Sequence, residues 1–382
     1  EAMKRQKQGI DILKLNTGNP ATFGFGLPDS IKNALLEHMQ DGVGYCDFKG
    51  MPQARQAICD YETSKGIKGI TSDDVFIGNG VSEVVSFALT PLLNDGDEVL
   101  VPSPSYSLWG NSVYLEDGKP VFYTCDEQAN WYPDIQDIRS KITDKTKAIV
   151  IINPNNPTGV LYPKEILLEI IQVAREFGLL IFADEIYDRL VMDGKQHISL
   201  ASLTEDVPVI TLNGLSKSHC LCGYRCGWMV ISGPRELTED YRQGIIQLTS
   251  LRLCANTMAQ IVIPAALDDM ETPASMVRPG GRIYEQREAT VRELEKIDGL
   301  SFVKNDAAFY VFPKLDVKKF NITNDKQFAH DLLDATNILL VPGSGFDWKD
   351  PDHFRIVMLP QADILSDAIR RMGTFLDGYK QK

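Results

Sequence analysis

Short apolar runs rich in β-branched residues recur through the middle of the chain: EVLVPSP, KAIVIINP, LLIFADE, VPVITLN and CGWMVIS. They lack the apolar–polar alternation of strands with one wet face. Amphipathic stretches separate several of them. PKEILLEIIQVAREFG, from Pro163 to Gly178, carries apolar residues at helical spacing, with proline at the front and glycine at the end. Apolar strands joined through helices predict an α/β fold, with a mostly parallel sheet covered on both faces. The tail reads differently. GGRIYEQREATVRELEKIDGL (280–300) predicts one long charged helix, followed by short strands at SFVKN, AAFYVFP and ILLVPG and a last helix from Asp363 towards Gly378. This is the pattern of a smaller α+β domain, with which the N-terminal segment is expected to pack.

A chain of 382 residues is long enough for two domains at ~100–200 residues each. No apolar run approaches the ~18–20 residues of a membrane helix. The formal net charge of -13 disfavours nucleic acid and anionic membranes as partners. The seven cysteines, Cys46, Cys59, Cys125, Cys220, Cys222, Cys226 and Cys254, are odd in number and scattered. That is unlike a secreted disulfide framework and points to a reducing cytoplasm. No signal peptide is visible, and the chain begins at Glu1 rather than methionine, so a further upstream segment is expected.

Ligands of open parallel α/β sheets sit outside the carboxyl ends of the strands. Five such ends carry polar chemistry. NPNNPTG brings Asn153, Asn156 and Gly159; DEIYD brings Asp184 and Tyr187; NGLSK brings Lys217; PSPSYSLW brings Tyr106 and Trp109. GNGVSE is a glycine-rich turn expected to open a helix at about Ser82. Taken singly, each has a plainer reading: a tight turn, a helix cap, a solvated lysine, a core aromatic. Their joint occurrence at successive strand ends is what points to a site. Cys220, Cys222 and Cys226 have C-x-C-x3-C spacing without a second pair, and Arg225 would set a positive charge beside a bound cation. They therefore read as buried thiols rather than a zinc site, and no metal is expected.

In NPNNPTG, ADEIY, SKSHCLCGYRCG and a late arginine, the chain resembles the class I, fold-type I aminotransferases that use pyridoxal 5'-phosphate (PLP). The resemblance runs from LNTGNP to FRIVMLP. IGNGVSE, LNGLSK, LRLCAN and GGRIYEQR are most similar to the bacterial glutamate–pyruvate (alanine) group. It implies a large PLP-binding domain over 41–284, and a small domain from 1–40 and 285–382. Lys217 is then the amine that binds the cofactor aldehyde and shuttles the substrate Cα proton. Asp184 pairs with the pyridine nitrogen, Asn156 and Tyr187 bind the ring's phenolic oxygen, and Tyr106 stacks on the ring. The phosphate lies on Gly80, Val81 and Ser82 at a helix N-terminus, with Arg225 adding a charged contact. The family often has a hydroxyl three positions before the lysine; here that position is Gly214, and Ser216 is the nearest substitute. Tyr45 resembles the tyrosine that reaches the phosphate of a neighbouring subunit, which implies a homodimer with shared sites.

Arg355 matches the arginine that clamps the substrate α-carboxylate, with Asn156 and Gly18 close by. Arg252 is a candidate for the distal carboxylate of glutamate or 2-oxoglutarate, with surface ion pairing as the alternative. Related enzymes close an upstream segment over the substrate. The implied reaction is transfer of the amino group between L-alanine and 2-oxoglutarate, in two half-reactions through pyridoxamine phosphate. Other donors (aspartate, branched-chain or aromatic) and a PLP-dependent C–S lyase stand as alternatives, because the fold does not fix the reaction. A non-catalytic regulator on the same fold fits less well, since no added helical DNA-binding domain is visible.

Overall fold

The computed structural model describes residues 1–382. Its centre is an eight-stranded sheet. In chain order the strands are β1 (Val75–Asn79), β2 (Glu98–Ser103), β3 (Lys119–Asp126), β4 (Tyr132–Pro133), β5 (Thr146–Ile152), β6 (Leu180–Asp184), β7 (Val209–Gly214) and β8 (Cys226–Ser232). The spatial order is β1-β8-β7-β6-β5-β2-β3-β4. Only β8 and the short β4 run against the rest.

The absence of alternation in the strands is explained by two cores. Along β5, Ile149 and Ile151 enter one cluster with Leu167 and Ile170. Ala148, Val150 and Ile152 enter another with Val84, Val85 and Trp109. Successive side chains point to opposite faces, so a strand buried on both must be apolar throughout. Each fully buried Ile, Val or Leu contributes about 1.5–3 kcal/mol. Helix α1 (Val81–Leu89) packs on one face; α2 (Lys164–Phe177) covers the other and ends on Gly178 in the left-handed region at φ 66.

Two sheet features differ from the sequence expectation. CGWMVIS forms β8 but is antiparallel to β7. The connection, residues 215 to 225, is shorter than the dozen or more that a parallel crossover needs. It therefore stays at the carboxyl end of β7, carrying both Lys217 and Arg225. KPVFYTCD forms β3 near the sheet edge, where partly wet neighbours gave the run no continuous apolar signal.

A separate core gathers Leu15, Leu294, Phe328, Ile338, Phe354 and Ile369. Leu13–Lys14 pairs in parallel with Ile338–Leu339, tying the N-terminal strand to the C-terminal part. The charged helix is shorter than 280–300: it spans Arg282–Leu294, and Gly299 at φ 94 then leads into Leu300–Ser301. Segment 1–40 does not all go one way. Helix Asp29–His38 buries Ile31 and Ala34 with Ala54, Ile58 and Trp228, on the side of the large sheet. No helix is long and apolar enough to cross a membrane.

Candidate active site

The carboxyl ends of β6 and β7, the N-terminus of α1, and the turns after β2 and β5 border a cavity of about 320 Å³. Lys217 stands in the short helix Leu215–Ser218 that follows β7. Its Nζ donates to the Gly18 carbonyl at 2.8 Å. Asp184 ends β6 and is 4% exposed. Trp109 Nε1 donates to its Oδ2 at 3.0 Å, and the Ile186 N–H reaches its Oδ1 at 3.4 Å. Burial pushes the Asp184 carboxyl up to about 6, against the lowering pull of the Trp109 bond. A cationic N–H partner would return it to the ionised form.

Arg355 lies on the strand Phe354–Val357 and is 6% exposed. Its Nη1 donates to Asn156 Oδ1 at 2.9 Å and its Nη2 to the Asn16 carbonyl at 2.6 Å. The rings of Tyr310 and Phe346 lie 4.6 Å from the guanidinium carbon. Its Nε has no partner, and burial lowers its pKa. A buried guanidinium held by neutral acceptors alone is costly, and a carboxylate in the cavity would relieve that cost. Tyr187 and Tyr310 share a hydrogen bond at 2.9 Å beside it.

At the other end Val81, Ser82, Ser216 and Arg225 line the wall. Arg225 sits in the left-handed region at φ 55, and its Nη1 donates to the Cys222 carbonyl at 3.0 Å. Gly80, at φ 86, is not among the lining residues but lies against Arg225, whose guanidinium a Cβ there would strike. Two guanidinium groups, an amine and a buried carboxylate thus line one cavity. Asn156, Tyr106 and Gly18 also line the cavity. Tyr45 does not line this cavity: it is 85% exposed. Nor does Arg252, which turns to Glu83 and the Phe48 and Ile77 carbonyls.

The model of the family described as aminotransferase class I and II matches residues 10–369. This chain is a class I and II aminotransferase. Over 381 residues the enzyme is 51% identical to a glutamate-pyruvate aminotransferase, AlaA, of Haemophilus influenzae, covering 100% of this chain and 94% of that one. The Escherichia coli protein of the same name is 47% identical with the same coverage. Among solved structures, an alanine aminotransferase from Pyrococcus furiosus superposes with a TM-score of 0.94 at 41% identity, covering 98% of this chain and 95% of that one.

Several residues that shape the aminotransferase site were not singled out for it. The sequence marks Trp109 only as a strand-end aromatic, yet its indole N–H fixes Asp184. Tyr310 lies in AAFYVFP; the one signal was a phenol inside an apolar run, since its contacts to Tyr187 and Arg355 are long-range. Asn16, Ile186 and Cys222 also line the cavity. The three clustered cysteines face different surroundings. Cys220 lies 3.8 Å from the Met276 sulfur, Cys222 faces the cavity, and Cys226 is buried in the sheet. Beneath the site, Glu185 and Asp188 are bridged by Lys65 at 2.9 and 3.2 Å.

Proposed function

We propose that this aminotransferase uses PLP to move the amino group between L-alanine and 2-oxoglutarate, giving pyruvate and L-glutamate. The observation that carries this is the buried Arg355, held by neutral acceptors alone, lining the same cavity as Lys217. The similar glutamate-pyruvate and alanine aminotransferases support this substrate pair. The donor set fits the cofactor from end to end: cationic Arg225 and the α1 N-terminus for a phosphate, an amine for an aldehyde, and a buried carboxylate for a ring N–H. When bound, PLP supplies the electron sink for labilising the substrate Cα bonds.

Lys217 holds and moves the proton at Nζ once it leaves Gly18. Asp184, its orientation fixed by Trp109, would pair with a protonated ring nitrogen. Asn156 spends Oδ1 on Arg355, which leaves its amide N–H for the phenolic oxygen beside the Tyr187 hydroxyl. Tyr106 and Ile186 would flank the ring. The Ser82 and Ser216 hydroxyls would join Arg225 and the Gly80–Val81 turn in holding the phosphate. Arg355 orients the α-carboxylate.

The same reading holds the exposed Tyr45 for a second copy of the chain, in a homodimer with shared sites. It takes the cytoplasm as the compartment, consistent with seven free cysteines. It divides the chain into a large domain over 41–284 and a small one from 1–40 and 285–382, with the Asp29–His38 helix packed across the boundary.

Arg355→Lys keeps the charge but loses the planar fork. It is expected to lower kcat/KM for alanine and glutamate alike by about 10²–10³-fold, read in steady-state assays with circular dichroism confirming the fold. The reaction is tested with ¹⁵N-labelled L-alanine. Label is expected to appear in glutamate, one for one with pyruvate and only when 2-oxoglutarate is present. Release of pyruvate and ammonia from cystathionine, with no oxo-acid acceptor present, would favour lyase chemistry.

A further inference from the structure

Arg252 ends the helix α3 (Arg235–Arg252), and the chain reverses at Leu253, at φ 74 and ψ -93. A non-glycine residue rarely adopts that backbone, and the reversal leaves Leu253 itself 54% exposed. The Arg252 guanidinium turns inward. Its Nη1 pairs with Glu83 Oε2, and its Nη2 donates to the Phe48 and Ile77 carbonyls, each at 3.2 Å. It also lies over the Phe87 ring at 5.3 Å.

Glu83 belongs to the first turn of α1. Its Oε2 accepts the Asn79 backbone N–H at 2.7 Å and its Oε1 the Asn79 amide at 2.9 Å. Asn79 Oδ1 in turn accepts the Asn256 N–H at 2.9 Å. One closed network therefore joins the end of β1, the Gly80 turn, the start of α1 and the chain after α3. An unpaired carboxylate there would repel a phosphate at the same helix N-terminus, where both compete for the same positive end. Arg252 cancels that charge and holds the turn.

We propose that Arg252 is a positioning residue of the phosphate-binding turn, acting through Glu83, and not the receptor of the substrate's distal carboxylate. The inference rests on the PLP reading above. Its consequence for specificity is that alanine and glutamate meet the same Arg252, so its loss affects both half-reactions equally.

The test compares cofactor-stripped wild type, Arg252→Met, Glu83→Gln and the double variant, titrated with PLP and separately with pyridoxal, which lacks the phosphate. Arg252→Met is expected to bind PLP about tenfold more weakly, the scale of one charge at a helix N-terminus, with pyridoxal binding unchanged. Glu83→Gln, which keeps the shape and removes the charge, is expected to bind PLP within about twofold of wild type and to restore most of the loss in the double variant. At saturating PLP, the alanine and glutamate half-reactions of Arg252→Met should recover together. Wild-type PLP affinity in Arg252→Met with a selective rise in KM for glutamate and 2-oxoglutarate would overturn the proposal. An equal loss of PLP and pyridoxal binding, unrelieved in the double variant, would also overturn it. Wild type that binds no PLP would instead remove the cofactor reading itself.

Discussion

Lys217→Ala is expected to lower the rate of both half-reactions by about 10⁴-fold or more, since general acid–base work alone is worth about 10²–10⁴ and the covalent step is lost with it. Nothing else lining the cavity offers a primary amine. Tyr187, Tyr310, Ser82 and Ser216 are hydroxyls, and Arg225 and Arg355 are guanidinium groups that do not give up protons at neutral pH. The variant should fold normally, because Lys217 makes one side-chain hydrogen bond, to the Gly18 carbonyl. It should also still bind PLP through the phosphate end, without the long-wavelength band of lysine-bound cofactor. Stopped-flow spectra with saturating alanine measure the loss. A residual rate within tenfold of wild type would move the proton transfer to another group.

Asp184→Asn is expected to split stability from activity. The Asp184 carboxyl is pushed up to about 6 from 3.8, mainly by burial. A raised value in an acid means that the folded chain holds the proton more tightly than the unfolded one. The ionised group therefore destabilises the cofactor-free fold above pH 6, progressively less between pH 6 and 3.8, and not at all below. At about 1.4 kcal/mol per unit, the cost at pH 7 is about 3 kcal/mol. Asparagine keeps the shape and an acceptor for Trp109 but carries no charge. Cofactor-free Asp184→Asn should thus melt higher than wild type at pH 7, with the advantage fading towards pH 4. With PLP bound the order reverses for function: a protonated ring nitrogen loses its counter-ion, and kcat should fall by about 10²–10³-fold, the scale of one lost electrostatic stabiliser. Calorimetry across pH checks the first part and steady-state rates the second. A variant less stable than wild type at pH 7, or one with unchanged kcat, would contradict this role for Asp184.

What the sequence made legible follows from distance along the chain. Asn156, Asp184 and Lys217 each follow an apolar run, and parallel strands bring such positions to one edge. Their convergence could be read from order alone, and the structure places them around one cavity. Arg225 was legible by resemblance, and the short connection between β7 and β8 shows why it stays with Lys217. Arg355 was not legible from pattern, since one arginine in an apolar strand has no signature until Asn16 and Asn156 meet it from distant segments. The same holds for Trp109 and Tyr310, whose partners lie on other elements. Arg252 stands in the sequence as a candidate substrate contact with ion pairing as the alternative; in the fold the chain reverses at Leu253 and the guanidinium pairs with Glu83, a partner 169 positions away that pattern alone could not supply. In the fold, the parallel strands were visible as apolar runs, whereas the direction of β8 depended on loop length and the partly wet β3 carried no clear period.

The most direct measurement is the visible absorption of the purified enzyme, saturated with PLP, on addition of L-alanine alone and then of 2-oxoglutarate. The long-wavelength band should bleach to the amine-form band with alanine, release one pyruvate per site, and return with 2-oxoglutarate. A band that alanine leaves unchanged, in enzyme that demonstrably holds PLP on Lys217, would contradict the alanine–glutamate reaction proposed for this site.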